Sequence, residues 1–242
     1  MKADSPLDWL TFERSDLEFK GDENGQPAWL CPDGDIVWTQ CLWRPPDLAI
    51  QLNDFAGLLR TFREQAAAQG MGVVEVETLE CDGCATIRMI AKLVQEPATG
   101  RGRTFLGRLI LPRKGLTLLV QVESAEHGVT GIRESLVIGE LLQSGALRVK
   151  ERKEKLDSDA DVIPTLGPDS LDGWVVDPSD TAPPHLARNV SDDPKYDTLV
   201  PTHPLSRVRA RLAGLARSIS VAPEFKALPP FDPRRKSWWK AW

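Results

Sequence analysis

The chain has 242 residues, 41% of them apolar and 27% charged, with a net charge of −5. That composition suits a packed core and excludes a disulfide scaffold, a fibrous repeat and a wholly disordered chain. No apolar run approaches the roughly 20 residues that span a bilayer. The acidic start lacks a basic segment followed by an apolar stretch, so a cytoplasmic location is expected. Charge is unevenly placed. Residues 200–242 carry nine Lys and Arg against two acidic residues, which gives +7 and leaves −12 on the rest. A basic tail on an acidic body either docks onto that body or recruits an anionic partner.

In chain order, residues 17–20 and 28–31 read as short strands on either side of a turn-rich stretch from Gly21 to Gly25. Asp33-Gly34 is a hairpin turn into a strand over 36–42, which Pro45-Pro46 ends because neither proline can donate to a ladder. A helix is predicted over 53–69. Asn53 serves as N-cap, Asp54 suits the positive end of the dipole, Phe55, Leu58, Leu59, Phe62 and Ala66 form the apolar stripe, and Gly70 is the stop. A strand over 73–80 turns at Asp82-Gly83 into a return strand. It carries Ile87, Met89, Ala91 and Leu93 on one face and Thr86, Arg88 and Lys92 on the other, an alternation that predicts a sheet with one buried face. After a loop at 96–100, strands over 104–111 and 116–123 join through the turn Pro112-Arg113-Lys114-Gly115, with Leu116, Leu118, Val120 and Val122 inward. A second helix runs from after Thr130 to about Ser144, with Ile132, Leu136, Leu141 and Leu142 toward the sheet and Gly145 as its end. This order describes an α+β domain over residues 1–150, an antiparallel β-sheet flanked by helices.

From Lys150 the composition changes. Residues 151–162 read as a charged linker. Twelve of the 19 prolines fall in the final 92 residues, so 163–242 is expected to be mostly extended and packed on the first domain. One helix interrupts it at about 204–219. Thr202 or His203 caps that helix and Pro204 fits its first turn. Leu205, Val208, Leu212, Leu215 and Ile219 give it a narrow apolar seam that needs a surface to cover it.

Few residues offer chemistry. Cys81-Asp82-Gly83-Cys84 has the spacing of half a zinc site or of a redox pair, but its Asp-Gly centre reads as a hairpin turn, and the acid opposes thiolate formation. A zinc site would need Cys31 and Cys41, whose separation is too long for a second knuckle. His127 stands near Glu123, Glu126 and Ser135 without a nucleophile elbow or a metal-helix spacing. His203 and His185 are explained by capping and by an extended stretch. Gly100-Arg101-Gly102-Arg103 is a hairpin loop with room for an anion contact but no nucleotide fingerprint. Arg207 and Arg211 lie one turn apart on the C-terminal helix, with Arg209 and Arg217 on its other flanks. Arg234, Arg235, Trp238, Trp239 and Trp242 follow in the tail. Such cations and rings either tie the terminus to the acidic domain, or contact a protein partner, or meet an anionic lipid or nucleic-acid surface.

The run Phe105-Leu106-Gly107-Arg108-Leu109-Ile110-Leu111-Pro112, the strand ending at Val122-Glu123 and the helix start from Gly128 to Glu134 resemble the Mog/PsbP-like α+β sandwich family. The resemblance spans about residues 9–147 and rests on element order. Members of that family are mostly non-enzymatic, among them photosystem accessory proteins, a Ran-binding factor and chaperones of secreted toxins, so the resemblance implies a binding role. It transfers no site residue.

Together these features point to a non-enzymatic protein-binding module, an adaptor or chaperone-like accessory protein without a cofactor. Its candidate partner-binding residues are Arg207, Arg211, Arg234, Arg235, Trp238, Trp239 and Trp242. The rival readings are a hydrolase or metal-dependent enzyme using His127, Glu123 and Glu126 or the Cys81/Cys84 pair, and a binder of anionic membranes or nucleic acid through the tail.

Overall fold

The computed structural model describes residues 9–23, 26–96, 101–128, 131–149, 171–177 and 179–233. The charged linker at 151–162, the loop residues 97–100 and the tail with Arg234, Arg235, Trp238, Trp239 and Trp242 lie outside them. The strands are β1 (Leu10–Thr11), β2 (Glu18–Glu23), β3 (Gln26–Leu30), β4 (Ile36–Leu42), β5 (Gly72–Cys81), β6 (Cys84–Glu96), β7 (Arg101–Arg113), β8 (Leu116–Ala125), β9 (Arg148–Val149), β10 (Leu171–Asp172) and β11 (Ser220–Val221). The helices are α1 (Phe55–Ala67), α2 (Ile132–Gln143), α3 (Pro204–Ser218) and the single turn α4 (Pro223–Lys226).

Seven strands form one antiparallel sheet in the order β2-β3-β4-β8-β7-β6-β5. The class is α+β, as the element order indicates. β4 pairs with β8 while β5 sits at the far edge, so α1 carries the chain across one face of the sheet. Leu58, Phe62 and Ala66 of α1 pack there with Ile87, Met89 and Ala91. Asp54, one residue later than expected, is the cap that accepts the Gly57 N–H at 2.9 Å. Phe55 is exposed, because the stripe turns onto the sheet only from Gly57 onward.

The expectation of one buried face is overturned. Leu205, Val208, Leu212 and Leu215 of α3 cover the second face together with Ile90, Leu109, Leu111, Val120 and Val122. Thr86 and Lys92, expected on the solvent side, are buried there. Each is partnered, as a buried polar group must be. The Thr86 hydroxyl donates to the Cys84 carbonyl at 2.9 Å, and Lys92 Nζ donates to Asp192 Oδ2 at 2.6 Å. Polar residues on a strand thus mark a face closed by a distant segment with matching polar groups.

Gly107 of β7 makes this close approach possible. A Cβ there would lie 2.5 Å from Val208 Cγ1 and 2.6 Å from Leu212 Cδ1. The Val208 and Leu212 side chains of α3 are therefore seated where a strand side chain would otherwise stand.

α2 does not face the sheet as expected. Ile132 and Leu136 are 45% and 47% exposed. The helix buries Arg133 and Val137 instead, and it packs with Leu147, Leu171, Trp174 and Tyr196. The reason is the buried Arg133, which donates to the Ser191 carbonyl (2.6 Å), Ser206 Oγ (2.7 Å) and Asp197 Oδ1 (2.8 Å). These bonds tie α2 to residues 191–206 rather than to the strands. No described helix is long and apolar enough to cross a membrane.

Candidate functional site

α3 organises the surfaces available for function. His203 is its N-cap, with Nδ1 accepting the Leu205 N–H at 3.2 Å, and Pro204 occupies the first turn. The apolar seam is narrow, and the arginines beside it reach past it to acidic partners on both sides. Arg209 donates to Glu75 Oε2 (3.2 Å), to Asp197 Oδ1 (2.8 Å) and to the Asp192 carbonyl. Arg207 donates from Nη2 to Asp35 Oδ1 (2.8 Å) and to Ser124 Oγ (2.7 Å), and Asp35 is buried at the start of the hairpin strand. Arg211 reaches Asp16 at 2.7 Å. That bond holds the Asp16 carboxyl below its usual range.

Between this flank of α3 and the N-terminal strands lies an open groove of about 570 Å³. Glu13, Asp16 and Asp33 line one wall, and Arg207, Arg211 and Arg217 line the other. Ala210 and Gly214 also line it, and a Cβ added at Gly214 would meet nothing within 4 Å. Glu13 accepts the Arg14 and Ser15 N–H groups (3.0 and 2.8 Å), which lowers its carboxyl pKa. Arg217 is exposed and makes no ion pair among the described residues.

Of the sequence-predicted partner residues, Arg207 and Arg211 thus share the groove wall. The other five lie outside the described residues. The enzyme reading does not assemble. His127 is exposed, and Ser135 Oγ donates to the Gly131 carbonyl of its own helix at 2.9 Å. Only Glu126 of that set enters a buried polar cluster, and its companions are His203 and Glu134.

Cys31, Cys81 and Cys84 are buried in the core, and Cys41 is partly buried against it. Cys81 and Cys84 are register partners on either side of Asp82 (φ 48°) and Gly83 (φ 75°), the positive-φ pair of a primed hairpin turn. Burial pushes the Cys31 and Cys41 thiols up to about 11 and raises Cys81 as well. Asp82 has another use. Its Oδ2 accepts the Val221 N–H (2.7 Å) and pairs with Lys226 Nζ (2.7 Å), which pins β11 and α4 to the hairpin tip.

Among the described residues, Glu126, Glu134 and His203 are the group with donor types suited to a cation. One oxygen of each carboxylate and one ring nitrogen lie within 4.8 Å of one another. The ring nitrogens decide against an ion. A ligating imidazole normally donates its other N–H outward. Here Nδ1 accepts from Leu205, so the proton of the neutral ring sits on Nε2, facing Glu126 Oε1 at 3.4 Å. A cation would have to displace that proton and break the cap. The sequence reading explained His203 by capping alone and passed over Glu134. The cluster joins residues up to 77 positions apart, so no local pattern signals it.

No family model and no curated protein matches the sequence. Similar solved structures include the Saccharomyces cerevisiae Ran-binding protein Mog1p, with 8% identity and a TM-score of 0.37 over 54% of this chain and 78% of that one. A Pseudomonas aeruginosa protein of unknown function, PA94, shares 13% identity at a TM-score of 0.27, over 60% of this chain and 99% of that one. LpqN of Mycobacterium tuberculosis, involved in cell envelope biogenesis, shares 9% identity at a TM-score of 0.24, over 55% of this chain and 78% of that one. The element order resembles the Mog/PsbP-like sandwich, and Mog1p is among the similar solved structures.

Proposed function

We propose that this chain is a non-enzymatic protein-binding module, an adaptor or chaperone-like accessory protein of the cytoplasm, and that its partner surface is the groove beside α3. The observation that supports this reading is the groove's construction. Acidic and basic side chains line it together with the small residues Ala210 and Gly214, so an extended polypeptide carrying both charges can approach the helix backbone at Gly214. The acidic wall disfavours a phosphate-rich occupant, which would meet Glu13, Asp16 and Asp33 together with the arginines.

The test uses the full-length chain with a photo-crosslinking residue at Gly214 and, as control, at Gly139, where an added side chain also meets open space. Protein adducts specific to the Gly214 probe, and lost when Arg217→Glu is added, support the reading. Identical adducts from both positions, or adducts indifferent to Arg217→Glu, refute it.

A further inference from the structure

Three separate pieces of chain meet at the buried Glu126–Glu134–His203 cluster. They are the end of β8, the first turn of α2 and the head of α3. The His203 and Glu126 side chains are 5% and 6% exposed. Glu126 Oε2, Glu134 Oε2 and His203 Nε2 are all buried without a hydrogen-bond partner. Arg103 of β7, whose carbonyl accepts the Glu126 N–H at 2.8 Å, donates from Nη1 to the Gly102 carbonyl at 3.0 Å. Lys92 of β6 is paired with Asp192, which also accepts the Asn189 N–H, and Arg133 of α2 with Asp197. Arg207 of α3 turns to Asp35, while His127, next to Glu126, faces solvent. Two carboxyl groups therefore face one N–H in a water-poor space.

We propose that Glu134, buried against Glu126 and His203, is a proton-holding clasp: it keeps its carboxyl proton inside the cluster, and loss of that proton at raised pH loosens the join of α2 and α3 to the end of β8. Burial is the first cause holding the Glu134 carboxyl above its ordinary value of 4.5; the charges of Asp192 and Glu126 push the same way, and Lys92 opposes them. A carboxyl raised in the fold contributes its stability fully below about 4.5, and that contribution is lost as the pH climbs through the raised value. The clasp is closed on the acid side and opens on the alkaline side. It does not depend on what occupies the groove.

Full-length wild type and Glu134→Gln, which keeps the shape without an acidic proton, are unfolded in urea from about pH 5 to about pH 8. The unfolding constant of the wild type should rise relative to that of the variant by up to about tenfold per pH unit across the clasp's transition. Parallel profiles overturn the proposal. Should Glu134→Gln fail to fold, infrared spectroscopy of the wild type with ¹³C-labelled glutamate decides the matter. A neutral carboxyl band at about pH 6 that disappears at higher pH supports the clasp, and its absence overturns it. Saturable stabilisation of the wild type by one equivalent of zinc or manganese chloride also overturns it, because the cluster would then be an ion site.

Discussion

Replacing Gly107 by alanine tests whether α3 is seated on the sheet. The added Cβ would stand 2.5 Å from Val208 Cγ1, 2.6 Å from Leu212 Cδ1 and 3.0 Å from Leu212 Cγ. Carbon atoms pack at about 3.5–4.0 Å, so a gap of about 1 Å must open. Neither neighbour can swing aside. Both side chains are fully buried, and a helical valine is held near one χ1 rotamer. The helix must shift, at the cost of overpacking, about 1–3 kcal/mol. The lower unfolded-state entropy of alanine offsets up to about 1 kcal/mol of this. For a chain of this length each kcal/mol moves the melting temperature by about 2–4 °C. Gly107→Ala should therefore melt several degrees below wild type, and adding Val208→Ala should recover part of the loss through coupling of neighbours. Gly214→Ala on the same helix meets nothing within 4 Å and should gain about 0.5–1 kcal/mol in helix propensity. Opposite signs at two glycines, one beneath the helix and one on its outer face, are read by calorimetry. A Gly107→Ala protein more stable than wild type would show that α3 does not rest on β7.

Arg207→Met leaves the buried Asp35 carboxylate without its guanidinium and should cost about 3–5 kcal/mol in urea unfolding; a loss below about 1 kcal/mol would mean the pair is not buried as described. Lys92→Met strands Asp192 in the same way, with a loss of similar size, and Lys92→Met/Asp192→Asn should recover much of it. With their thiols raised, Cys31, Cys41 and Cys81 should react slowly with iodoacetamide near neutral pH in the native protein and quickly once it unfolds. Fast native labelling of Cys31 or Cys81, read by peptide mass spectrometry, would contradict their burial.

The sheet was legible because its signals are local. Asp82-Gly83 supplied a primed turn, and the alternation from Ile87 to Leu93 marked the face under α1. Leu116, Leu118, Val120 and Val122 are all buried, as their spacing indicates. The turn after β7 is tighter than expected. Pro112 and Arg113 remain in the strand opposite Thr117 and Leu116, leaving Lys114 and Gly115 to turn. Non-local features escaped. Lys92 looks like a solvent-facing strand residue until Asp192, 100 positions later, closes over it. Ile132 and Leu136 follow helical spacing toward a core, yet Arg133 has stronger partners on the other side of α2 and rotates them outward. Periodicity reports that a face is apolar, whereas buried charge pairs decide which face is turned inward. The groove was half visible. Arg207 and Arg211 stood out by their helical spacing, but their opposite wall comes from Glu13, Asp16 and Asp33, which no helix pattern connects to them.

Since α3 both closes the core and walls the groove, its arginines cannot all be available to a partner. Arg207 is bound to a carboxylate that is 1% exposed, and diverting it would leave that charge buried and alone. Arg211 pairs with Asp16, half of whose side chain is exposed, a contact worth at most about 1 kcal/mol. Its second pair, with Asp33 at 3.7 Å, is also partly exposed, so a partner acid can displace both from Arg211 at little cost, and it meets Arg217 without any exchange. On the groove reading, recognition falls to Arg211, Arg217 and Glu13, while Arg207 holds the helix that presents them. Charge reversal at Arg211 or Arg217 should then weaken binding with the fold intact, and Arg207 variants should weaken both together.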